Sequence, residues 1–134
     1  MVLNLYDTVL NDIISRIPEI GVPLLVGATP AENGVRIAWT GGEEKRYLHG
    51  AGKTTMTVVV NAKHELQLTA LHILGQIHTA LTSIRRFEPT AEYRIIGVQT
   101  QSAPAFAGRE KSGQWVYVSS LAVTFATNRQ EETL

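Results

Sequence analysis

Cysteine is absent from the 134 residues, so the chain forms no disulfide and offers no thiolate to a metal. A surplus of either charge is absent too. Twelve Lys and Arg are balanced by twelve Asp and Glu, which removes the bulk basic footprint that favours nucleic acid and leaves no acidic tail. A local charged face stays possible, above all if copies assemble. Long apolar runs are missing: none approaches the ~18 residues of a membrane span. The opening "MVLNLYDTVLNDII" carries Asp7 and Asp12 and no early Lys or Arg, so it lacks the charged start of a signal peptide. These absences lead us to expect a soluble, cytoplasmic protein. The length suits one domain, expected over residues 1–127 with a polar tail at 128–134. A domain of this size buries roughly two-thirds of its unfolded surface and needs no staples.

What is present is periodic. Leu5, Val9, Ile13 and Ile17 recur every four residues, which predicts an amphipathic helix of about 15 residues that Pro18 breaks. "VPLLVGA" (22–28) reads as a short buried strand and "TPAENG" (29–34) as a turn. "VRIAW" (35–39) alternates, and "TGGEEKR" (40–46) reads as a charged connection. "TTMTVVVNAK" (54–63) is β-branched and alternating, a strong strand, with a second face apolar enough to be covered. "HELQLTALHILGQIHTALTSIRR" (64–86) carries an apolar stripe at Leu66, Ala70, Ile73, Leu74, Ile77, Leu81 and Ile84, with Arg85 and Arg86 at its C-terminal end. Leu68 and Leu71 fall off that stripe, as a wider core or a subunit contact; the core is the favoured reading. "EYRIIGVQTQ" (92–101) reads as a strand, "SAPAFAGREKSG" (102–113) as a turn-rich connection, and "QWVYVSSLAVTFAT" (114–127) as a long strand. The order α-β-β-β-α-β-β predicts an α+β fold: a mainly antiparallel sheet with two helices on one face.

"HGAGKTTMTVVV" (49–60) raises a phosphate-binding question. A P-loop reads G-x-x-x-x-G-K-[ST], but five residues before Gly52 stands Tyr47. The P-loop also opens a helix, whose amides bind phosphate; here Lys53-Thr54 leads into a strand. Asp7 and Asp12, the only aspartates, lie in the first helix. Nucleotide hydrolysis is set aside. Four histidines (His49, His64, His72, His78) invite a metal, yet His72 and His78 lie roughly 240° apart around a helix, and His64-Glu65 lacks a second His. They read as surface or interface histidines. No serine sits in G-x-S-x-G, and Glu43, Glu44 and Glu110 read as solvated charges. No catalytic residue, metal site or cofactor is expected.

The stretch 103–113 is long for a connection inside a compact domain. Phe106, among small residues and followed by Arg109 and Lys111, suits a protein interface; the alternative is a ring tucked onto the core. Lys45, Arg46 and Lys53 are close in sequence and suit a DNA phosphate, or else a solvated connection.

"TALHILGQIHTALTSI", then "EYRIIGVQTQSAPAFAGREKSGQWVYVSSLAVTFAT", resembles the small minor capsid and tail-terminator (head–tail joining) proteins of long-tailed bacteriophages. A helix, a strand, an apolar-Gly-Arg stretch (Phe106-Ala107-Gly108-Arg109) and a long aromatic strand after Gly113 (Trp115 to Phe125) carry the resemblance, with "TVVVNAKHELQLTALHIL" before them. It covers about Thr54 to Thr127. The resemblance implies a structural virion protein with no catalytic residues. It implies a ring of copies, commonly six, that caps the tail tube, meets the head connector and lets DNA pass without sequence recognition. Virion assembly would occur in the host cytoplasm. Phe106, Arg109 and Lys111 would then lie at an interface, and Lys45, Arg46 and Lys53 toward the lumen. A dimeric α+β adaptor is the competing reading. An enzyme using His49, Lys53 or Glu110 is a further one.

Overall fold

The structure is a computed structural model that describes residues 2–46 and 52–127. Apolar alternation builds the sheet. In β3 (Gly52–His64), Met56, Val58, Val60 and Ala62 are buried while the residues between them are less so. In β5 (Trp115–Thr127), Tyr117, Ser119, Leu121, Val123 and Phe125 are buried at every second position, with Ser120 the one residue between them that is buried as well. With period 2, each set falls on one face. β2 (Gly34–Arg46) and β4 (Tyr93–Arg109) flank this pair, and the three-residue β1 (Leu24–Val26) runs parallel to β2 at the far edge. The order is β1-β2-β3-β5-β4, and every other pairing is antiparallel.

Helices α1 (Val2–Ile14) and α2 (Gln67–Thr82) cover the apolar face. α1 brings Val9, Leu10 and Ile13 to the core; α2 brings Ala70, Ile73, Leu74, Ile77 and Leu81. The α+β class and the element order are those expected from the pattern. Neither helix is long and apolar enough to cross a membrane.

Several boundaries differ from expectation. Thr40–Arg46 is strand, not connection, because β3 pairs with it as far as Arg46↔Gly52, past a bulge at Trp39/Gly41. Residues 102–109 are strand as well, held against β5 from Ser102↔Ser120 to Arg109↔Trp115. α2 begins three residues later than the pattern suggests, since His64 is still paired with Trp115, and it ends at Thr82, before Arg85 and Arg86. The second face of β3 carries no helix; its Thr55, Thr57 and Val59 are only half shielded, by neighbouring strands. Leu25 and Val26 of β1 are exposed rather than buried. Leu68 and Leu71 are also exposed, at 76% and 37%: they point off the side of α2 that meets the sheet. Residues 128–134, where a polar tail is expected, lie outside the described residues.

The bulge in β2 has a packing consequence. It brings Gly42 opposite Met56, on the helix face, directly beneath Tyr6. A methyl at Gly42 would overlap the Tyr6 hydroxyl. Tyr6 is held on its other sides by Trp39, edge-on at 4.6 Å, and by Phe125 at 6.2 Å, so its ring has little room to move. Gly42→Val is therefore expected to destabilise by about 1–3 kcal/mol through overpacking, read from the urea midpoint. The same change at Gly41, which has open space around it, should cost less.

Candidate assembly surface

The β4–β5 turn sets one end of the molecule. Glu110 and Gln114 close it through Glu110 N–H to Gln114 O at 2.9 Å, and Gly113 supplies the positive φ of 99° that the turn needs. Just before the turn, Phe106 stands across from Tyr117 and packs on the rings of Tyr117 (5.8 Å) and Trp115 (5.9 Å). Phe106 is nevertheless 55% exposed. It neither tucks into the core nor stands alone; it caps an aromatic cluster that meets solvent. The Arg109 guanidinium lies 4.5 Å over Trp115, a cation–π contact, and its Nε donates to Gly113 O. Lys111 is exposed at the turn tip. Gln67, at the start of α2, donates to the Tyr117 hydroxyl at 2.9 Å, which sets exposed Leu66 and Leu68 close by along the chain.

On the open sheet face, at this same end, Arg36, Asn61, Lys63 and Glu110 line a recess of ≈ 430 Å³. The buried Lys63 ammonium pairs with Glu110 at 2.9 Å, so Glu110 is a partner rather than a solvated charge. Arg36 donates weakly to Asn61.

The expected lumen set sits elsewhere. Lys45 pairs with Lys53 and Arg46 with Gly52 near the β2–β3 tip, and Lys53 is exposed. Lys53 lies across from Ala126, whereas Glu110 follows Arg109, which lies across from Trp115. At about 3.3 Å per residue the two sites are ~36 Å apart. The enzyme reading through Lys53 and Glu110 thus has no common site; His49 lies outside the described residues. Gly52-Lys53-Thr54 is extended strand, so it forms no helix N-terminus for a phosphate.

His78 corrects the reading of the histidines as surface groups. It is 6% exposed under α2, because its position on the helix flank points it at the sheet. Its two ring nitrogens meet Thr100 Oγ1 (2.9 Å, Nδ1) and Ser119 Oγ (2.7 Å, Nε2). Burial lowers its pKa below the ordinary 6.5. The unfolded chain therefore takes up this proton first as pH falls. Stability is expected to hold above about pH 6.5 and to decline below it, down to the native pKa. The slope of urea midpoint against pH between 7 and 5 should be shallower in His78→Gln; an unchanged slope would exclude His78 as its source. His72, by contrast, is exposed, and the His64 ring accepts the Leu66 amide. Among the described residues no three His, Asp or Glu side chains gather as a metal site would need.

The family model of the bacteriophage tail terminator protein matches residues 7–127, from the first helix to the end of β5. The chain belongs to that family. It is thus a structural component of the phage tail and virion, in a family of structural proteins rather than enzymes. A chain in a solved structure described as "Virion of native gene transfer agent (GTA) particle" shares the fold, with a TM-score of 0.56 at 12% identity over 88% of this chain and 84% of that one. No curated protein matches. The sequence resemblance points to the same family from about half the chain; the family match extends through α1 and β2 as well. Phe106, Arg109 and Lys111, singled out from the sequence, lie together around the β4–β5 turn. Sequence reasoning missed Trp115 and Tyr117 as partners of Phe106, Leu66 as exposed close by, and Leu25 and Val26 as exposed on the opposite edge of the sheet. The signal available was the pair of leucines off the α2 stripe.

Proposed function

We propose that this protein caps the tail tube as a ring, commonly of six copies, and joins it to the head connector. The observation that carries this reading is the terminator family match across nearly the whole fold. Physical features support it. The outer edge of β4 and the part of β2 beyond β1 have no partner strand among the described residues, and open edges of that kind suit pairing between copies. Phe106, Arg109 and Lys111 form one end, to contact a neighbouring copy, and Lys45, Arg46 and Lys53 lie by the opposite end, toward DNA in the lumen. A head-to-tail interface whose rotation closes gives a ring. Such a ring stops tube growth by presenting to the connector a face unlike the one that sits on the tube. Assembly takes place in the host cytoplasm, with residues 1–127 acting as one domain.

The test is mass in solution by light scattering across a concentration range, with negative-stain images of the free protein and of tail-tube ends mixed with it. A discrete ring with a central hole, free or on the tube ends, is expected. A tight dimer insensitive to dilution would overturn the ring and favour an adaptor.

A further inference from the structure

The exposed large apolar side chains of the described residues lie in two groups with one outlier. Leu25 and Val26 are on β1; Leu66, just before α2, Leu68 and Leu71 on α2, and Phe106 on β4 form the second; Ile96 stands apart on β4. β1 and β4 are the two opposite edges of the sheet. The two groups also lie within one or two residues of the same height along the strands. Leu24 pairs with Val35, Val35 with Ala62, Ala62 with Tyr117 and Tyr117 with Phe106, so the row through Phe106 reaches β1 at the residue just before Leu25. The next row toward the turn, Gly34–Lys63–Val116–Gly108, carries charge beyond each end. Glu32, exposed, precedes Gly34 by two residues. Arg109 and Lys111, also exposed, follow Gly108.

Resting on the ring reading, we infer that these two edges are the two halves of one head-to-tail contact with a second copy of this chain. The β1 edge, through Leu25 and Val26, packs on Phe106 and the leucines at the start of α2. Glu32 of one copy faces Arg109 and Lys111 of the next. Three features commit the occupant to a second copy. Both halves are apolar at their centres and opposite in charge at one side, as a core-and-rim contact requires. They differ from each other, so the contact is heterologous and propagates beyond two. They stand at nearly the same height on opposite edges, so a rotation about an axis along the strands joins them with little axial step, as closure of a ring rather than a filament requires.

The absence of cysteine makes the test direct. In the double variant Val26→Cys/Phe106→Cys, a short bis-maleimide is expected to give a covalent ladder of dimer, trimer and higher species that ends at the ring. Each single variant should stay uncrosslinked, because like positions do not meet in a heterologous contact. Should Phe106→Cys perturb folding, Val26→Cys/Leu68→Cys serves the same purpose, Leu68 being 76% exposed. Val26→Cys paired with Thr79→Cys, on the exposed side of α2, is the control and should give no ladder. Glu32→Lys alone, or Arg109→Glu with Lys111→Glu, should each diminish the ladder, and the three changes together should restore it. A ring seen by light scattering with no ladder in either double variant overturns the edge assignment and leaves the ring reading standing. Single-cysteine dimers would overturn it in favour of an isologous contact. Neither ring nor ladder, in the free protein or on tail-tube ends, overturns both.

Discussion

Phe125→Ala is expected to lower stability by about 3–5 kcal/mol, the range for deleting a large aromatic from a core that does not collapse around the gap. Phe125 is fully buried. It links α1, β3 and β4 within the core. Tyr6 of α1 meets it edge-on at 6.2 Å, and Tyr93 at the start of β4 meets it at 6.4 Å. On its own strand it lies between Thr54 of β3 and Ile95 of β4. Removing the ring costs its transfer free energy, the cavity left behind and two edge-to-face contacts of about 0.5–1.5 kcal/mol each. Phe125→Leu keeps most of the volume and should cost clearly less. Urea unfolding with an unchanged m-value would measure both; equal losses for Ala and Leu would refute the cavity argument.

The second large effect is electrostatic. Asp12→Ala is expected to destabilise by about 2–4 kcal/mol, since it removes two charge-assisted hydrogen bonds and strands a buried hydroxyl. Asp12 Oδ2 accepts from the Tyr93 hydroxyl at 2.7 Å and Oδ1 from Arg16 Nε at 3.0 Å. Tyr93 is 4% exposed, so its hydroxyl has no easy recourse to water. Burial, and then the hydrogen bond to Asp12, hold that phenol above its ordinary pKa. Arg16 also lies 4.8 Å over Phe87, so the cluster ties the end of α1 to the segment that follows α2. Tyr93→Phe should cost less than Asp12→Ala, because Asp12 then keeps Arg16 while no donor is left unpaired. A double-mutant cycle would show the coupling; additive losses would mean that the two groups act separately.

How far the fold can be read from sequence differs between its strands for a physical reason. "TTMTVVVNAK" and "QWVYVSSLAVTFAT" carry their own β propensity and alternation, and they form the centre of the sheet. "TGGEEKR" and "SAPAFAG" carry neither. They are strands only because β3 and β5 offer them a ladder, and pairing outweighs propensity. The bulges that let them pair leave no trace in local composition. His78 escapes a reading by spacing, because six residues from His72 says how far apart two groups lie, not which one faces the sheet. The candidate assembly surface is half legible. Phe106 among small residues stands out, whereas Leu25 and Val26 read as core, since an apolar run does not announce an edge.

The β3–β5 ladder pairs twelve consecutive residues without a shift, while β4 meets β5 through four register shifts and carries Pro104, which has no amide to donate. These two seams differ mechanically. Tension applied along the strands loads the bonds of an unbroken ladder together, in shear, and none yields before its neighbours. An interrupted ladder divides the same load among short runs that open successively. Under axial strain the centre of the sheet is therefore the stiff element, and the β4 edge, with the aromatic cluster at its end, is the region that gives.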